Sequence, residues 1–186
     1  MSGSSEAKRL FNVGIVAAFA TLAFIGTMLI RIPIPATGGY FNLGDTFVMA
    51  AALLYGPWVG ALVGLIGPAA ADAVGFPQFI LATAVVKGLE GALVGFLGGP
   101  GKADNTTGPV LGLMLGIVVL VGGYYVFESV IYPLLATAIP FYGVTDAKAA
   151  LAEIVPNLSQ GIISAMIAYG ILRAFRKKKD IADAGV

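Results

Sequence analysis

Residues 11–30 read FNVGIVAAFATLAFIGTMLI, a run without a single charged side chain. About 20 apolar residues in a helix cross a hydrocarbon core of about 30 Å, so this run has the length and chemistry of a membrane span. It leads into Arg31-Ile32-Pro33 rather than a small-residue cleavage site. It is therefore expected to remain as a first transmembrane helix and not to be removed as a signal peptide.

The rest of the chain continues in the same solvent. Of its 186 residues 58% are hydrophobic and 11% charged, and the mean hydropathy is +0.92. Cysteine and histidine are absent, which excludes disulfides, thiol nucleophiles, His-ligated metals and imidazole-based triads. No enzyme activity, cofactor or metal is expected. Six membrane segments are predicted at about 9–30, 43–56, 57–74, 77–98, 108–138 and 156–175. The fold class expected is all-α integral membrane, a single compact six-transmembrane-helix bundle over residues 1–186, with 176–186 as a basic tail.

Charge placement sets the expected orientation. Lys8 and Arg9 precede the first run, Lys102 sits in the loop after the fourth, and Arg173, Arg176, Lys177, Lys178 and Lys179 follow the last. Eight of the eleven Lys and Arg residues then lie on one side, which the positive-inside rule makes cytoplasmic, with both termini there. The C-terminal cluster reads as a topology anchor rather than a nucleic-acid patch. The location that follows is a prokaryotic plasma membrane.

Local punctuation refines the segments. Gly56-Pro57 is expected to turn the short second segment straight into the third, as a tight cytoplasmic hairpin. Gly122-Gly123 and Pro133 are expected to kink or tilt the long fifth segment. Between segments five and six, Thr145 or Asp146 is expected to cap a short helix through Glu153, with Pro156 in the first turn of the last span. Residues 31–42, with Pro33, Pro35, Gly38 and Gly39, read as an ordered outer loop able to cover something, with Tyr40 and Phe41 as lid residues.

Small residues recur at four-residue spacing in Gly56, Gly60 and Gly64, in Gly91, Gly95 and Gly99, and in Gly14 with Ala18. Such rows let helix backbones approach closely. Internal packing explains most of them. Gly14, Ala17, Ala18 and Thr21 carry a second reading, a docking surface for another membrane subunit.

In so apolar a chain, polar residues at membrane depth are functional candidates, because each costs several kcal/mol unless paired or wet. Asn42 and Asp45 open segment two, Asp72 closes segment three, Lys87 lies in segment four, Glu128 in the outer part of segment five, and Asn157 and Gln160 open segment six. Tyr124, Tyr125, Glu128 and Tyr132 recur at three- or four-residue spacing, which gives aromatic surface with a carboxylate. With Asn157, Gln160 and Ser164 on one face of segment six, this suits a flat heteroaromatic ligand. The alternatives are structural: Lys87 pairing with Glu90 or Asp72 to hold helices together, and an interfacial aromatic belt made of Tyr132, Tyr142 and Tyr40. Around Gly101-Lys102 a phosphate-binding loop fails, since Phe96 replaces its first glycine and Ala103 its hydroxyl residue. The sequons at Asn105 and Asn157 are read as chance.

Taken in order, Tyr40-Phe41-Asn42-Leu43-Gly44-Asp45, Tyr55-Gly56-Pro57 with Gly60 and Gly64, Lys87-Gly88-Leu89-Glu90-Gly91, and Pro156-Asn157-Leu158-Ser159-Gln160-Gly161 resemble the substrate-binding S components of energy-coupling factor (ECF) vitamin transporters, over about residues 9–175. The resemblance implies a six-helix subunit that captures a vitamin or precursor from outside. It implies as partners a transmembrane coupling subunit and two ATPases. Members of the family often dock through an alanine-xxx-alanine row on helix one, which is imperfect here, as Gly14-xxx-Ala18 and Ala17-xxx-Thr21. Riboflavin, pyridoxine-type vitamins and the hydroxymethylpyrimidine precursor of thiamine are all compatible with tyrosines plus carboxylates. Two rivals remain: a self-sufficient secondary transporter, against which stand the small size and the lack of a clear inverted repeat, and a membrane enzyme with Asp45, Asp72 and Glu128 around a cation.

Overall fold

The computed structural model describes residues 2–35, 38–102, 105–142 and 145–183, with the side chains of 2–9, 179 and 183 outside the description. The expected roles of Lys8, Arg9 and Lys179, and the part of the outer loop at 36–37, lie outside the described residues.

The chain runs α1 (Ser2–Leu29), β1 (Ile32–Ile34), β2 (Gly39–Phe41), α2 (Asp45–Tyr55), α3 (Pro57–Gly75), α4 (Ile80–Gly98), α5 (Thr107–Val126), a π turn (Phe127–Ile131), α6 (Tyr132–Ala136) and α7 (Ala147–Asp183). Because α5, the π turn and α6 run on without a break, the described residues make six helical rods. Five helical stretches are long and apolar enough to cross a membrane, namely Leu10–Leu29, Pro57–Gly75, Pro77–Gly98, Thr107–Ala136 and Ala147–Ala182.

The second rod differs from the span expected at 43–56. At 1.5 Å per residue the 11 residues of α2 reach about 16 Å, half a hydrocarbon core. Val48, Met49, Ala50, Ala51, Ala52 and Leu53 are all buried, because α1, α3, α4 and α7 surround the helix. A helix apolar on all sides is stable only when packed on all sides. The turn after it is the expected hairpin: Gly56 takes φ 93°, a left-handed conformation that glycine adopts without penalty, and Pro57 starts α3.

The glycine rows pack α3 against α4. A Cβ on Gly60 would come 2.5 Å from the Ala52 Cβ and 2.6 Å from the Gly91 carbonyl oxygen, and one on Gly64 would fall on the Lys87 carbonyl. Gly14, in contrast, has open space around it, and Ala17, Ala18 and Thr21 are exposed on the same helix. The opposite face of α1, through Ala20, Ala23 and Thr27, is buried. The Thr21 hydroxyl donates to the Ala17 carbonyl at 2.9 Å, so it is satisfied within its own helix.

The long fifth rod is irregular next to Pro133, one of the two places expected, while α5 runs through Gly122-Gly123 without a break. Its irregularity is the π turn, where the Tyr132 N–H reaches back to the Phe127 carbonyl. Pro133 has no N–H to offer the carbonyl one turn before it, and a single wide turn absorbs the mismatch. Carbonyls there find side chains instead: Ser129 Oγ donates to Tyr125 O at 2.6 Å and Thr145 Oγ1 to Glu128 O at 3.1 Å. Tyr132 is completely buried and does not belong to an interfacial belt. Its hydroxyl accepts from the Ala82 N–H at 3.2 Å, one of the unpaired donors in the first turn of α4, and its ring stacks on Tyr142 at 5.4 Å.

The expected break before the last span is absent. Asp146 does cap, accepting from the N–H groups of Lys148 at 2.9 Å and Ala149 at 2.8 Å. The helix then runs 37 residues with Pro156 inside it rather than at the start of a span. Glu153, Asn157, Gln160 and Ser164 consequently fall on one inward face.

Candidate functional site

Sequence reading did not anticipate strands in the outer loop. β1 and β2 pair antiparallel, Ile32 with Phe41, Pro33 with Tyr40 and Ile34 with Gly39. This short ribbon straps the end of α3. The Arg31 guanidinium donates to the Ala71 carbonyl at 2.8 Å and lies over the Tyr40 and Phe76 rings, at 4.9 and 5.1 Å. Tyr40 packs on Phe76 at 4.5 Å, and its hydroxyl donates to Asp72. Burial and the neighbouring Asp72 carboxylate push the Tyr40 phenol above its ordinary range, so it stays a donor.

Beneath the strap lies a cavity lined by Thr27, Gly39, Tyr40, Asn42, Pro68, Asp72, Phe79, Thr83, Lys87, Tyr124, Glu128, Glu153, Asn157 and Gln160. Seven of the nine residues singled out as solute-binding candidates are among these. Asp45 stands behind the wall, and Tyr125 does not reach the cavity. Of the two lid residues Tyr40 lines it and Phe41 does not. Five lining side chains that sequence reading did not select are Thr27, Pro68, Phe79, Thr83 and Glu153.

Lys87 does not pair with Asp72. Its ammonium lies 2.5 Å from Asp45 Oδ1 and 3.5 Å from Glu90 Oε2, all three residues being at most 1% exposed. The second Asp45 oxygen accepts from Gln160 Nε2 at 2.7 Å, and Gln160 Oε1 accepts from the Asn42 N–H at 2.7 Å. Asn42 Oδ1 in turn accepts from the Gly44 N–H at 2.8 Å, an Asx turn leading into α2. Lys87, Asp45, Gln160 and Asn42 thus form one network tying α4, α2, α7 and the end of the strap together. Elsewhere in the lining, Asn157 Nδ2 donates to Glu153 Oε2 at 3.2 Å, and the Thr83 and Tyr124 hydroxyls share a hydrogen bond at 2.9 Å.

The cavity encloses only about 30 Å³, whereas ligand pockets start at roughly 300 Å³. Among the described residues no three His, Cys, Asp or Glu side chains converge as a metal site, which removes the basis for a cation held by Asp45, Asp72 and Glu128.

Apolar helices around a buried, partly aromatic polar cavity define a helical bundle of the membrane-protein class with a polar interior. The chain belongs to the ECF-type riboflavin transporter, S component family, whose profile it matches over residues 5–177. This is a family of integral membrane transport subunits concerned with vitamin uptake, and not a family of enzymes. Thiamine precursor transporter HmpT of Lactococcus lactis subsp. cremoris (strain MG1363) is 24% identical over 181 residues, covering 91% of this chain and 96% of the relative. An uncharacterized protein of Pyrococcus woesei is 45% identical over 109 residues, 58% of this chain and 72% of that one. The solved S component of a bacterial ECF transporter shares the fold, with a TM-score of 0.58 at 17% identity over 94% of this chain and 98% of the other.

Proposed function

We propose that this chain is the solute-capturing subunit of an ECF-type importer in a prokaryotic plasma membrane, binding a small heteroaromatic vitamin or precursor from outside for uptake driven by partner ATPases. The observation that carries the reading is the cavity: carboxyl, amide and tyrosine groups are gathered under a strap in an otherwise apolar bundle. Polar groups at such depth are costly, and a ligand that engages them explains their presence. The riboflavin in the family description and the thiamine precursor in the name of the lactococcal relative agree with a ring-bearing solute. Riboflavin, pyridoxine-type vitamins and hydroxymethylpyrimidine form the candidate set.

In this account both termini and the loop at Lys102 are cytoplasmic, and the strap and cavity face outward. Asn42, Asp72, Tyr124, Glu128, Asn157 and Gln160 surround the solute, Lys87 and Asp45 support the wall, and Tyr40 covers the opening. The outward face of α1, through Gly14, Ala17, Ala18 and Thr21, meets the coupling subunit, which carries two ATPase subunits. Native mass spectrometry of gently purified protein tests the reading: a retained vitamin-like heterocycle supports it. Titration with the candidate set that detects no binding contradicts it.

A further inference from the structure

The charge around the cavity is unevenly distributed. On the α2 and α4 side, the Lys87 ammonium is ion-paired with Asp45 and Glu90, Gln160 is engaged at both ends, and Asn42 is held by its turn. Tyr40 and Asp72 bond each other, as do Thr83 and Tyr124. On the π-turn side, Glu128 is 1% exposed, lines the cavity, and has one carboxyl oxygen, Oε2, without a hydrogen-bond partner. Glu153, 5% exposed, lines the same wall and accepts from Asn157 Nδ2 at 3.2 Å.

The lining therefore holds three carboxyl groups, Asp72, Glu128 and Glu153, and one ammonium that two further carboxylates already neutralise. A buried excess of carboxyl groups over cations is stabilised most by a ligand that brings positive charge. Resting on the reading that this cavity binds a heteroaromatic solute, we propose that the solute is a single-ring nitrogen heterocycle bearing a basic amine or amidine-like N–H edge, directed at Glu128 and Glu153. Phe79 and Tyr124 supply ring surface to such a ligand. The small cavity adds weight, because one ring requires much less widening than an uncharged tricycle with a polyol chain. Riboflavin carries no basic amine, and its donors, one imide N–H and four hydroxyls, are neutral, so this proposal ranks it last of the candidate set.

The test is isothermal titration of the purified full chain with matched pairs in which only the amine changes: 4-amino-5-hydroxymethyl-2-methylpyrimidine against its 4-oxo analogue, and pyridoxamine against pyridoxine, with riboflavin alongside. The amine is expected to bind about tenfold or more tightly in at least one pair, since a charge-assisted hydrogen bond contributes more than a neutral one. Glu128→Gln is expected to erase that preference. The comparison within the unmodified protein stands even if the variant folds poorly. An amine preference that survives in folded Glu128→Gln protein overturns the assignment to Glu128. Equal binding within both pairs, or riboflavin binding tightest, overturns the proposal while leaving a vitamin-binding subunit. Binding of none of the probes overturns both.

Discussion

Lys87 in α4 and Asp45 at the start of α2 meet at 2.5 Å in the middle of the bundle, with neither side chain more than 1% exposed. Asp45 simultaneously holds Gln160 of α7, so a single carboxylate connects three helices beside the cavity. Removing one partner of a buried pair costs about 3–5 kcal/mol, because the other charge is left uncompensated. Lys87→Met is therefore expected to lower the unfolding temperature in detergent more than it weakens binding by the folded fraction. Adding Asp45→Asn should recover part of the loss. Unchanged melting together with abolished binding would make Lys87 a ligand contact instead.

Arg31 and Tyr40 clamp the ribbon onto α3 through the Ala71 carbonyl, the Phe76 ring and Asp72. A hydrogen bond to a charged group contributes about 1.5–3 kcal/mol, or tenfold and more in a rate it controls. Tyr40→Phe and Arg31→Ala should each speed solute release by about tenfold in a stopped-flow chase, with smaller effects on association. Release at the unmodified rate in both variants would show that the strap is not the gate.

Two glycines at similar helix positions should respond in opposite ways. A methyl on Gly91 would be driven into the Gly60 carbonyl, whereas one on Gly122 meets nothing within 4 Å. Overpacking costs about 1–3 kcal/mol, while glycine to alanine on an open helix face gains up to about 1 kcal/mol. Thermal unfolding should accordingly show Gly91→Ala destabilised and Gly122→Ala neutral or stabilised; similar losses in both would argue against close α3–α4 contact.

The exposed small residues of α1 make a separable prediction. A bulky side chain at Ala18 blocks close approach of a partner helix without touching the cavity, none of whose lining residues lies on that face. Ala18→Trp should bind solute with unmodified affinity and fail in ATP-dependent uptake when reconstituted with its partners. Uptake at the unmodified rate would place docking elsewhere.

The sequence shows the helical rods more plainly than the contacts between them. The apolar rods were legible because length and hydropathy are one-dimensional, and polar residues at depth stood out by their rarity. Which of them pair was not legible: Lys87 had Glu90 on its own helix and Asp72 in view, but its shortest contact, Asp45, comes from α2 through tertiary packing. Glu153 carried a usable signal, four residues before Asn157 on the same face. Pro156 masks that signal, because proline normally marks a helix start, whereas helix α7 runs straight through it. The ribbon at residues 32–41 was too short and too proline-rich to give a strand pattern.

Vesicles test the central claim most directly. Unmodified protein is reconstituted alone, or together with the coupling subunit and both ATPases, and internalised radiolabelled solute is measured with and without ATP. The account predicts saturable binding by the chain alone, and accumulation only when partners and ATP are both present. Accumulation in vesicles that hold this chain alone, driven by a proton or sodium gradient, would contradict it and make the protein a transporter in its own right.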